Sequence, residues 1–170
     1  MIEDLKDEIR ESVRSFCAQP DQREMTLRAL TRPGFALHRE ARCRAGVLSL
    51  EVYKAIRGTP TDAMFRAAAG VELQMEAAFL FDNVADEEVD PVNGVSPAEE
   101  LALAITLLSC GTAASCDAAR QHEQFGAGLD IVLQGQVNCI DSAGGQLMDA
   151  ALEKRGSATP GEAMEMTSLK

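Results

Sequence analysis

The 170-residue sequence has no tryptophan, one tyrosine and six phenylalanines. With so few rings and 46% apolar residues, its core has to be built from Leu, Ala, Val and Met, which favour helix over strand. No alternating apolar–polar pattern exceeds four residues, and no internal repeat occurs. There is also no uninterrupted apolar run near the ~18 residues that a membrane-spanning helix needs. The chain opens Met1-Ile2-Glu3-Asp4, without the apolar stretch of a signal peptide. Cys17, Cys43, Cys110, Cys116 and Cys139 form no CxxC pair and no zinc-type spacing with His, so they read as free thiols in a reducing cytosol. Positive charge is scarce too: 16 basic against 27 acidic residues leave a net charge of −11. That balance argues against nucleic acid and stable membrane insertion, and an anionic substrate would need a local basic group or a bridging cation. The expectation is a soluble, cytoplasmic, all-α protein with a single helical domain over 1–170.

Helical spacing gives about six helices. Ile2, Leu5, Ile9, Val13 and Phe16 mark an amphipathic first helix that ends near Pro20. Thr31-Arg32-Pro33-Gly34 is a break, and the next helix is expected from about Ala36 to Arg57, closed by Gly58. Thr61 or Asp62 caps a long, nearly all-apolar helix to about Glu88, which should be central and buried. A loop at Asp90–Gly94 precedes Ser96-Pro97-Ala98-Glu99, a good helix start for a segment running to about Ala119. Phe125 to Lys154 holds one or two helices, their limits blurred by glycines at 126, 128, 135, 144 and 145. After a turn over Gly156–Gly161, a last helix starts at Glu162 and is still running at Lys170, so the fold is expected to be incomplete at the C-terminus.

Acidic residues gather where the long apolar helix ends, in Phe81-Asp82-Asn83-Val84-Ala85-Asp86-Glu87-Glu88. A four-residue spacing puts Asp82 and Asp86 on one helical face, ~6 Å apart along the axis. At that distance two charges repel by ~0.7 kcal/mol in water and ~3 kcal/mol at an effective dielectric of 20. Exposed, the pair costs little; in a pocket it requires a cation, and Mg²⁺ with oxygen ligands is the natural one. Negative charge at a helix C-terminus also opposes the helix dipole, where a purely structural design would place Lys or Arg.

Gly70-Val71-Glu72-Leu73-Gln74-Met75-Glu76-Ala77-Ala78-Phe79-Leu80-Phe81-Asp82-Asn83-Val84-Ala85-Asp86 resembles the AxELIHxxSLIHDDxxD segment of the trans-isoprenyl diphosphate (polyprenyl) synthases, with Glu72, Leu73, Leu80, Asp82 and Asp86 in register. Ala41-Arg42-Cys43-Arg44 stands where that family carries K-R-x-R. Gly145-Gln146-Leu147-Met148-Asp149 resembles its G-Q-x-x-D, and Met164 to Lys170 resembles the helix ending in its Lys-Thr dipeptide. The resemblance spans roughly 36–170 and implies an isoprenoid-synthase-like helical bundle. It implies Asp82 and Asp86 as Mg²⁺ ligands, and Arg42, Gln146 and Lys170 as substrate-side residues. Ala78, Phe79 and Phe81 would line or floor a prenyl cavity or simply fill the core. The ligand would be an allylic prenyl diphosphate, and the assembly a homo- or heterodimer.

The sequence also departs from that pattern. Asn83 replaces the second aspartate, Met75 the histidine, and Glu40-Ala41 the Gly-Lys ahead of Arg42. Val92-Asn93-Gly94 stands in place of Arg-Arg-Gly, which removes cationic donors whose hydrogen bonds to phosphate are each worth ~1.5–3 kcal/mol. The family's second aspartate-rich motif would fall beyond Lys170. Three readings stay open: a divergent prenyltransferase or diphosphate-ionising relative, a non-catalytic regulatory subunit that docks on an active synthase, and an unrelated helical bundle.

Overall fold

The computed structural model describes residues 1–86, 95–121 and 125–169, with the side chains at 125, 146, 147 and 150 left aside. Among these residues there are seven α-helices and no strand: α1 Ile2–Phe16, α2 Pro20–Leu30, α3 Arg44–Arg57, α4 Asp62–Ala85, α5 Pro97–Arg120, α6 Phe125–Arg155 and α7 Pro160–Leu169. The all-α expectation is met, with one helix more than the expected six or so. The chain divides into two compact units, Met1–Gly128 and Leu129–Lys170, with the boundary inside α6.

In the first unit the core is a layer of aliphatic and small side chains between α1 and the α4–α5 pair. Leu5, Ile9 and Val13 lie one turn apart on α1 and are fully buried, as are Leu73, Ala77 and Leu80 on α4 and Ala104, Leu107 and Ala114 on α5. This is the stripe of an amphipathic helix, and burial of each large side chain contributes about 1.5–3 kcal/mol. Arg66 of α4 ties the layer across its edge, pairing with Glu8 of α1 and, at 2.9 Å, with Asp117 of α5. By length and composition α5 could cross a membrane, but its buried stripe packs on α4 as a core helix does.

Two glycines set the spacing of α4 and α5. A Cβ on Gly70 would lie 2.7 Å from the Gly111 carbonyl oxygen and would collide with Ser115 Oγ; a Cβ on Gly111 would lie 2.7 Å from the Gly70 carbonyl oxygen. The helices therefore meet backbone to backbone in an antiparallel register. The start of α5 follows the sequence expectation: Ser96 Oγ accepts from the Glu99 amide at 3.3 Å, and Glu99 Oε2 accepts from the Ser96 amide at 2.8 Å.

The structure corrects the expected path between α1 and Arg57 in two ways. Residues 20–30, passed over because Pro20 reads as a stop, form α2 with the proline in its first turn, where no amide is needed. Residues 31–43 are a chain of turns, and the helix starts only at Arg44 after Cys43, whose φ of 46° is left-handed. The cause lies in α4. Two buried carboxylates there require N–H donors: Glu72 accepts from Gly46 at 2.7 Å and also from Ala45, and Glu76 accepts from Ala36. A helix running on from Ala36 would spend the Gly46 and Ala45 amides internally.

Over Phe125–Arg155 the structure has one helix, within the one or two expected. The glycines at 126, 128, 135, 144 and 145 do not divide it; α6 runs through them for 31 residues and ends at Gly156, with φ +70°. Thr159 and Glu162 cap α7, and Arg155 grips Glu162 with two bonds of 2.9 and 2.7 Å. The Arg155 guanidinium, aided by Thr159, pulls the Glu162 carboxyl down to about 2.

Candidate functional site

Helix α4 presents different chemistry on each side. Ala68 and Glu72 face α3 through Gly46. Leu73, Ala77 and Leu80 enter the core, and Gly70 and Gln74 meet Gly111 of α5. The remaining face is open and apolar: Val71, Met75 and Phe79 are 38%, 43% and 54% exposed, and Ala78 is exposed beside them. Asp82 continues that stripe, and Asp86 stands one turn later as the C-cap, its amide donating to the Asp82 carbonyl at 2.8 Å. Both aspartates are exposed. From Asp82 back to Val71 the stripe is ~17 Å long at 1.5 Å per residue. On α5, Leu101 and Ile105 are exposed as well, and the Gly70–Gly111 register brings them level with the turn that carries Phe79 and Asp82.

Asp82 and Asp86 together offer two exposed carboxylates on one helical face. No group of three or more His, Cys, Asp or Glu that could hold a metal occurs among the described residues, so no all-protein cage is formed there. Two carboxylates alone leave most of the coordination shell of a hard divalent cation to water or to another ligand.

The other expected residues are only partly assembled. Arg42 is exposed two residues ahead of α3, in the same unit as Asp82. Gln146 belongs to α6 in the second unit, and its side chain lies outside the described residues, as do Lys170, Glu87, Glu88 and Val92-Asn93-Gly94. Phe81 is half-buried against the core, whereas Phe79 and Ala78 belong to the open face.

Reasoning from spacing missed a buried polar cluster on the flank of α4 beside the exposed stripe. Glu72 and Glu76 are almost fully buried, and one oxygen of Glu76 has no hydrogen-bond partner. Burial, and then the neighbouring Glu72, push the Glu76 carboxyl up to about 8; burial also raises Glu72, opposed by the Gly46 and Ala45 amides. Burial, followed by the charge of Glu72, pushes the Cys43 thiol up to about 11. Two cations join this region. Lys6 is buried and donates to the His38 carbonyl at 3.1 Å, and Arg32 makes paired 3.1 Å bonds to Glu100 while its guanidinium stacks 4.8 Å from the Phe35 ring centre. The available signal was the pair Glu72/Glu76 itself, two charges one turn apart in an otherwise apolar helix that must find donors if buried.

The residues define an all-helical protein with a carboxylate pair at the end of an open apolar helix face. Compared with family models, with curated proteins and with solved structures, the chain matches none.

Proposed function

We propose that this chain is a divergent polyprenyl-synthase-like protein that handles an allylic prenyl diphosphate with Mg²⁺. The observation that carries the reading is the continuity of Asp82 and Asp86 with the exposed Val71–Met75–Phe79 stripe. A prenyl diphosphate has the same division, a multiply charged head on a hydrocarbon tail, and the ~12 Å apolar strip from Val71 to Phe79 suits a tail of a few isoprene units. In this reading Asp82 and Asp86 hold the head through the cation, the stripe takes the tail out of water, and Arg42 supplies a cationic donor to phosphate oxygens. Bound Mg²⁺ would neutralise the diphosphate and so ease its departure as a leaving group. Gln146 and Lys170 are assigned to the substrate side by resemblance. The reading places the protein in the cytoplasm, within an isoprenoid-synthase-like bundle that works as a homo- or heterodimer.

A second reading, a non-catalytic regulatory subunit of the same family, is favoured by Asn83 and by Val92-Asn93-Gly94, which leave few charged groups to grip two diphosphates. One experiment separates the two. The full-length protein is incubated with geranyl or farnesyl diphosphate and Mg²⁺, and pyrophosphate release is measured beside Asp82→Ala. Release that depends on both Mg²⁺ and Asp82 supports the enzyme; no release, or equal release by the variant, overturns it.

A further inference from the structure

Two cysteines far apart in the sequence meet inside the first unit. Cys17 Sγ lies 3.5 Å from Cys110 Sγ, although 93 residues separate them. Both are free thiols and almost fully buried, 2% and 3% exposed. Cys17 stands one residue beyond α1 and Cys110 in the middle of α5, so their sulfurs touch across the α1–α5 interface. Closing that gap to the ~2.0 Å of an S–S bond needs a combined sulfur displacement of ~1.5 Å.

We propose that Cys17 and Cys110 are a disulfide-forming pair that clamps the end of α1 to α5 when a small-molecule disulfide is present. The step is a two-stage exchange. The Cys17 thiolate attacks one sulfur of the oxidant, forming a mixed disulfide and releasing one small thiol. The Cys110 thiolate then attacks Cys17 Sγ, forming the Cys17–Cys110 bond and releasing the second small thiol. The two protons lost by the protein are carried by the two released thiols, and the oxidant takes the electron pair.

The fold explains why Cys17 is the entry point. Its backbone is extended, and its amide holds the helix end through one bond, to the Val13 carbonyl at 2.9 Å. The chain then passes to Pro20 at the start of α2, so unlatching the last turn of α1 uncovers Cys17 while α5 stays in place. Cys110 is held in the interior of α5, and burial, together with Cys17, pushes its thiol up to about 12. Buried there it is shielded from bulk oxidant, and the 3.5 Å contact places it to attack Cys17 Sγ once a mixed disulfide forms there, a step that also removes the Cys17 contribution to its raised value. Cys116 and Cys139 are only half-buried and have no sulfur partner, so they serve as internal controls.

The test uses the reduced full chain and oxidised glutathione. After incubation the protein is alkylated under denaturing conditions, digested and mapped without reductant. No Lys or Arg separates Cys110 from Cys116, so the linked peptide is fragmented to tell them apart. The expected result is a Cys17–Cys110 link, with a melting temperature roughly 5–15 °C higher that returns on reduction. Cys17→Ala should show no such rise, and Cys110→Ala should stop at a glutathione adduct on Cys17. Glutathione found only on Cys116 or Cys139, or an equal rise in Cys17→Ala, would overturn the proposal. Should either variant fail to fold, the peptide map of the unmodified sequence decides alone: the link is present or the pair is not reactive.

Discussion

Helix α4 carries two carboxylate pairs at the same four-residue spacing, and they have opposite fates. Glu72 and Glu76 are buried and hold the backbone of neighbouring segments; Asp82 and Asp86 stand exposed at the end of an apolar stripe. Spacing is therefore not what gives a carboxylate pair its role. The deciding variable is the helical face, and with it the set of donors that neighbouring elements supply. Glu72 meets the free amides at the start of α3, so its charge is compensated by hydrogen bonds. Asp82 and Asp86 sit at a helix end whose dipole is negative, an arrangement that fold stability does not ask for.

The comparison can be broken most severely at the register that separates the two faces. Gly70→Ala drives a methyl group into the α5 backbone and should cost about 3 kcal/mol or more, read as a lower denaturation midpoint. Next comes the buried pair. Glu72→Ala leaves the Gly46 amide buried and unsatisfied, with an expected loss of about 2–3 kcal/mol by urea denaturation.

The third effect is a dependence on pH. The folded-state value of Glu76, about 8, lies above its ordinary 4.5. Its contribution to stability is therefore fully present below about pH 4.5 and is lost as pH rises through about 8. The raised Glu72 acts in the same direction. Urea midpoints should fall between pH 6 and pH 8.5, by an amount worth on the order of 1 kcal/mol, and Glu76→Gln should flatten that fall. A midpoint rising with pH over this range would contradict the assignment.

The smallest stability effect is expected at the exposed pair. Asp82→Asn with Asp86→Asn should leave stability within about 0.5 kcal/mol of the starting protein, on the favourable side if the helix dipole governs. The same double variant should lose Mg²⁺-dependent retention of diphosphate, followed by equilibrium dialysis. A variant that binds as before, or that unfolds, would remove the distinction between the pairs.

Much of the helical frame was legible in the sequence. The Leu5–Ile9–Val13 spacing, the Ser96-Pro97-Ala98-Glu99 start and the apolar character of α4 each translate directly into a buried stripe or a cap. What was not legible depends on contacts between distant segments. Pro20 was read as a stop, but α1 already ends at Phe16 and the proline opens the next helix. The late start of α3 is dictated by Glu72, 26 residues from Gly46 in sequence, and no pattern within 36–57 reveals it. The candidate site was half legible. Asp82 and Asp86 follow from spacing and resemblance, but the open apolar stripe leading to them required knowing which α4 face α1, α3 and α5 leave uncovered.

The carboxylate that caps α3 also has a consequence for motion. The first amides of a helix usually exchange with solvent early, because a helix end frays without disturbing anything else. Here the Gly46 amide is held by a side chain from the centre of α4. Its hydrogen cannot reach water unless the α3–α4 contact opens, so its exchange should be as slow as that of the α4 interior. The start of α3 thus reports on the integrity of a helix it does not belong to.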